Sequence, residues 1–139
     1  MTINAILRGA NVFIPDAAPE LTGIVLTVRM WNTAEPTFVV DFSLTIEVEG
    51  HQPVKAQLTD MPETLRLNGE SSTVLTAGMS LERKSAATPL GAAPMDGTLL
   101  FYAKIKKADV LRPSTVLKMT ILDGNNQKHI VAHEVKDWL

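Results

Sequence analysis

Apolar and polar residues alternate along most of this chain with a period of two. The clearest run is Phe38 to Glu49. There Phe38, Val40, Phe42, Leu44, Ile46 and Val48 fall on one side, and Val39, Asp41, Ser43, Thr45, Glu47 and Glu49 on the other. Successive strand residues point to opposite faces, whereas a helix could not segregate this pattern. The run predicts a strand with one buried and one wet face, as antiparallel sheets have. Phe42 and Leu44 are expected in the core, with Thr45 and Glu47 facing water.

The same period recurs elsewhere. Ile24, Leu26, Val28 and Met30 share a face between Gly23 and Asn32. Val54, Ala56 and Leu58 alternate with Lys55, Gln57 and Thr59. Leu65 and Leu67 suggest a short strand, and Leu75, Ala77, Met79 and Leu81 a longer one. Leu99, Phe101, Ala103 and Ile105 form another face, as do Leu117, Met119 and Ile121. A strand is expected at Lys128 to Val135, and one at Ala5 to Ile14, bent at Gly9. Ser71 to Ala77 is ambiguous, since its serines could cap a helical turn before Gly78.

Turn residues separate these runs: Pro15-Asp16, Asn32 to Pro36, Gly50 to Pro53, Asn68-Gly69 and Asp123 to Asn126. Asp-Gly and Asn-Gly supply the positive φ angles of tight hairpins. Short strands spaced by turns predict an all-β fold, an immunoglobulin-like antiparallel two-sheet sandwich of seven to nine strands with almost no helix. The gaps are too short for the crossovers of a parallel sheet.

Arg83 to Gly97 stands out as the longest irregular segment, with Pro89, Gly91, Pro94 and Gly97 among four alanines. In a sandwich it would cross between the sheets. Two readings follow: a connection stiffened by proline, or a partner-binding loop built on Pro89, Leu90, Gly91, Pro94 and Met95. The first carries the greater weight.

Length and composition narrow the picture. The 139 residues suit one domain, residues 1–139, able to bury a core without a staple. Cysteine is absent, so disulfides and thiolate chemistry are excluded. A net charge of −2 argues against nucleic acid as a partner. No apolar run approaches the ~20 residues of a membrane-spanning helix, and Met1 to Arg8 does not read as a signal peptide. A soluble chain is expected, with any membrane attachment made through a tether outside this sequence.

Candidate chemistry is sparse. His129 and His133 stand four apart beside Glu134, the reverse of the zinc-protease order. On a strand that spacing places them ~13 Å apart, too far to share one ion. His51 has no partner in sequence. Ser71, Ser72, Ser80 and Ser85 lack the nucleophile-elbow frame. Asp123-Gly124-Asn125-Asn126 lacks the later ligands of a calcium loop. Glu47 and Glu49 read as solvated strand carboxylates. Lys104, Lys106, Lys107 and Arg112 form the one basic cluster, able to touch a phosphate-bearing surface or simply to keep a strand face soluble. Trp31, Tyr102 and Trp138 lie on separate segments, against a shared sugar platform. No catalytic, cofactor or metal residue is assigned.

Several runs resemble a family of uncharacterised bacterial immunoglobulin-like domains. They are Asn32-Thr33-Ala34-Glu35-Pro36-Thr37 with Phe42-Ser43-Leu44-Thr45-Ile46, Pro89-Leu90-Gly91 with Gly97-Thr98-Leu99-Leu100-Phe101, and Asp123-Gly124 with Lys128. The resemblance spans about Ile3 to Val135, and Phe42 stands where the family would have tryptophan. It implies a sandwich fold and a neighbouring transmembrane tether, not an activity. The expected function is a non-catalytic interaction or structural module with a protein partner. The alternative is a small-ligand or carbohydrate-binding module.

Overall fold

The computed structural model describes residues 3–60, 64–66 and 74–138, with the backbone alone at 64–66 and 74–76. Nine strands are described: β1 (Ile3–Phe13), β2 (Thr22–Asn32), β3 (Val39–Glu47), β4 (Val54–Thr59), β5 (Thr64–Arg66), β6 (Val74–Thr76), β7 (Met95–Ala103), β8 (Val116–Asp123) and β9 (Lys128–Glu134). Two short helices, α1 (Leu81–Ala87) and α2 (Lys107–Val110), accompany them, with single 3₁₀ turns at Ala77–Met79 and Val135–Trp138.

Seven strands make one antiparallel sheet in the order β1-β2-β7-β4-β3-β8-β9, and β5 and β6 form a separate hairpin. The sheet is nearly barrel-shaped, with β1 brought alongside β9. β4 joins its two halves. The first half of β4 pairs with β3 (Leu44 opposite Ala56), and the second with β7 (Leu58 opposite Phe101).

The concave side holds one core drawn from both halves, including Ile24, Leu26, Met30, Leu44, Ile46, Leu99, Phe101, Leu117 and Met119. Period-two alternation predicts these positions because each strand sends every second side chain inward. Phe42 and Leu44 are buried as expected, and Thr45 and Glu47 are part-exposed. A smaller cluster of Phe13, Val25 and Leu100 lies apart from the main core, with Tyr102 against it.

The structure corrects the sequence reading in three places. Phe38 and Val40 are exposed, at 46% and 59%, while Val39 is buried. The β3–β8 register shifts between Val39 and Asp41, and one extra residue reverses every face before it. A similar shift between Leu7 and Gly9 supplies the expected bend in β1.

The strand expected at Leu75 to Leu81 is the second correction. β6 ends at Thr76 and the chain turns helical. Ser80 caps α1, its Oγ accepting from the Arg83 amide. Leu81 and Ser85, four apart, are the buried positions, a helical rather than a strand spacing.

The third concerns Arg83 to Gly97, whose ends are ordered as α1 and the start of β7, leaving residues 88–94 irregular. Gly97 makes the packing possible. A Cβ there would lie 2.9 Å from Leu81 Cα, Leu81 Cβ and the Met79 carbonyl oxygen. Leu67, Asn68-Gly69 and Ser71 to Thr73 lie outside the described residues. No helix among the described residues is long and apolar enough to cross a membrane.

Candidate functional site

The antiparallel order brings three connections to one end of the barrel: residues 14–21 after β1, 48–53 after β3 and 104–106 after β7. An open hollow of about 630 Å³ lies there, lined by Ile14, Pro19, Glu20, Leu21, Thr22 and the run Lys104 to Lys107. A second hollow of about 370 Å³ shares Lys104, Ile105 and Lys106 and adds Val48, His51, Gln52, Val54 and Asp109.

Hydrogen bonds fix the walls of the larger hollow. Two successive turns fold residues 15–21, with the Ala18 amide donating to Pro15 and the Leu21 amide to Ala18. The buried Thr22 hydroxyl donates to the Ile105 carbonyl, tying the lysine-bearing turn to β2. The Thr115 hydroxyl donates to the Asp109 carbonyl at 2.8 Å, and the Asp109 carboxylate pairs with Arg112 at 2.8 Å. Val110 is fully buried, so α2 is held by its own core residue.

Charge is concentrated at this end. Lys104, Lys106 and Lys107 have no ion-pair partner among the described residues, and Asp109 is taken by Arg112. Glu20 is the one carboxylate lining the larger hollow. Three lysines and one glutamate therefore line the hollow, in a chain of net charge −2. Concave walls of one sign focus the field and raise the local concentration of the opposite ion.

The loop residues singled out in the sequence sit at the opposite end. Leu90 is buried, and its backbone pairs with Thr37 in both directions. The Gly91 carbonyl accepts from the Asn32 amide at 2.8 Å. The Asn32 side chain closes its own turn, donating to the Glu35 carbonyl and accepting from the Ala34 amide. Met95 is half-buried against the core, and Pro89 and Pro94 are exposed.

Other candidates are engaged elsewhere. His129 lies 2.8 Å from a buried Asp123 oxygen. The other Asp123 oxygen accepts from the Asn125 and Gln127 amides. Burial pushes the Asp123 carboxyl up, but bonds from His129, Gln127 and Asn125 outweigh it and hold the group below its ordinary value. Asn126, not Gly124, takes the positive φ of this turn, at 63°.

His133 stacks on Trp138 at 4.1 Å and lies 3.6 Å from Asp137. Tyr102 meets Phe13 edge-on, and Trp31 is half-buried on β2 opposite Asn4. His51 is exposed beside the smaller hollow. Ser80 and Ser85 serve α1, through its cap and a bond to the Glu82 carbonyl. Glu47 pairs with Lys118. Burial, with Asp60 second, raises the Glu82 carboxyl.

A third hollow of about 350 Å³ lies over β4, β3, β8 and β9 and includes Lys55, Asp41, Leu122, Lys128 and Ile130. Phe38, just before β3, and Val40, near its start, are exposed.

Sequence reasoning identified the three lysines but not the hollow. Ile14, Pro19, Leu21 and Thr22 stand more than 80 positions from Lys104 in the chain, and only the β2–β7 pairing, Thr22 opposite Ala103, brings them together. Fold and site define an all-β domain with a basic hollow at one end. No family model matches the chain, and neither a curated protein nor a solved structure does.

Proposed function

We propose that this chain is a non-catalytic binding module and that the lysine-lined hollow is where it takes a small ligand. The observation that carries the reading is the unpaired set Lys104, Lys106 and Lys107 around apolar Ile14, Leu21 and Ile105. Its volume of about 630 Å³ falls within the ~300–1,000 Å³ of small-molecule sites. Apolar walls with a few convergent polar groups are the usual composition of such sites.

The immunoglobulin-like sandwich is the finer form of the fold reading. Its support is the change of partners along β4, which divides the sheet into a β1-β2-β7 half and a β3-β8-β9 half. Loops at one end of such a sandwich commonly carry binding. A membrane tether would come from outside this sequence and leaves the reading unchanged.

The test is a panel of small carboxylates, phosphates, amines and neutral fragments, titrated into ¹⁵N-labelled protein. Anionic compounds should give saturable shifts at residues 14–22 and 104–107. Shifts that spread evenly, or that favour amines, would overturn the reading. A protein partner is the second reading, favoured by Phe38 and Val40, two positions apart and both exposed, since neighbouring exposed apolar side chains mark interaction surfaces. A photo-crosslinking residue at Val40 should then form a defined adduct that the same residue at exposed Thr27 does not.

A further inference from the structure

We infer that the ligand of the hollow is an amphipathic organic anion: one compact phosphate or carboxylate head on an apolar body. The inference rests on the hollow being the binding site and adds the ligand's chemistry. The head is set by Lys104, Lys106 and Lys107, which supply ammonium donors that no carboxylate of the described chain already occupies. Ammonium bonds to phosphate or carboxylate oxygens are charge-assisted and stronger than neutral ones.

The body is set by Ile14, Pro19, Leu21 and Ile105. Ile14 is 46% exposed, and Leu21 and Ile105 are only part-buried. An inorganic anion would leave these side chains wet, and a neutral apolar molecule would leave three cations unmatched. Only a ligand with both parts uses the whole lining.

Two further features narrow the class. Glu20 stands in the same lining. A polyanion laid across the hollow would bring a second charge toward that carboxylate, whereas a single head can sit with the lysines and keep away. The bond from Thr22 to Ile105 fixes the turn between Lys104 and Lys106 before any ligand arrives. Less order is then lost on binding.

The experiment uses the full chain and four probes: n-octyl phosphate below its micelle-forming concentration, inorganic phosphate, 1-octanol, and phosphatidylglycerol vesicles. Binding is followed by calorimetry, with ¹⁵N shifts to place it. Lys104→Gln/Lys106→Gln is the variant, because both side chains are exposed and their loss leaves the core intact.

Octyl phosphate should bind with one-to-one stoichiometry, at least tenfold tighter than inorganic phosphate or octanol. The variant should weaken it at least tenfold. Octyl phosphate binding no tighter than inorganic phosphate, with both weakened in the variant, would overturn the amphipathic class and leave the hollow as the site. Binding indifferent to the variant, or shifts mapping away from residues 14–22 and 104–107, would overturn the site itself. Binding to vesicles with none to monomeric octyl phosphate would make the ligand a membrane surface and overturn the small-molecule assignment.

Discussion

Gly97→Ala adds one methyl group to the molecule and should unfold it at a markedly lower temperature. Gly97 lies in β7 directly beneath the start of α1. The new Cβ would sit 2.9 Å from Leu81 Cα, Leu81 Cβ and the Met79 carbonyl oxygen. Two of these are backbone atoms, so no rotamer change relieves the contact. The backbone here is also pinned, by the Thr98 hydroxyl bonded to the Met79 carbonyl and the bridge between Ser80 and Thr98. Overpacking of this kind costs about 1–3 kcal/mol. Alanine recovers ~0.4–1 kcal/mol by restricting the unfolded chain, since Gly97 does not hold a positive φ.

The net loss is about 1–2 kcal/mol. It corresponds to a fall in Tm of roughly 3–10 °C for a domain of this size. Thermal unfolding followed by circular dichroism measures it. Gly91→Ala is the control, because its nearest neighbour would be Pro36 Cγ at 3.8 Å. Equal Tm for the two variants would refute the reasoning and place α1 elsewhere.

Phe42→Ala and Leu90→Ala remove side chains that are 3% and 1% exposed. They should cost about 3–5 and 2–5 kcal/mol respectively in denaturant unfolding. Thr45→Ala and Pro94→Ala should cost little, and parity within either pair would show a face or loop misassigned. Asp123 predicts a pH dependence. Its carboxyl titrates below the ordinary 3.8 when folded, so the charged form contributes stability above that value. That stability is lost as pH falls through the folded value. The Tm gap between the parent and Asp123→Asn should therefore be wide at pH 7 and narrow below about pH 4. A gap constant from pH 7 to pH 2.5 would contradict the assignment.

The strands were legible because burial on one face imposes a period that the sequence must carry. Ile24 to Met30, Leu44 to Val48 and Leu117 to Ile121 all follow it. What the period could not reveal was where it breaks. The shift at Val39–Asp41 adds one residue on β3 with no glycine or proline to mark it, so Phe38 and Val40 read as core and emerge exposed. Leu75, Ala77, Met79 and Leu81 alternate as well as any strand, yet Ser80 has a capping hydroxyl and Leu81 packs over Gly97. A tertiary contact thus outweighed a local pattern. The lysines of the hollow were legible as a charge cluster. Their apolar companions were not, because the pairing of Thr22 with Ala103, and the bond from the Thr22 hydroxyl to Ile105 83 positions away, assemble them.

The shared strand β4 bears on how the molecule comes apart. Among the described residues it alone is hydrogen-bonded to both halves of the sheet, through three residue pairs on each side. The β3 side closes a short hairpin, but the β7 side joins Leu58 to Phe101, a far longer loop to close. Such pairings form late and slowly, after local contacts are in place. Opening of the molecule should therefore begin at the β4–β7 ladder. There, amide protons of β4 would exchange with solvent in step with those of β7, and ahead of the long β1–β2 and β3–β8 ladders. The two halves of the sheet share one core, yet the strand that joins their ladders is only six residues long.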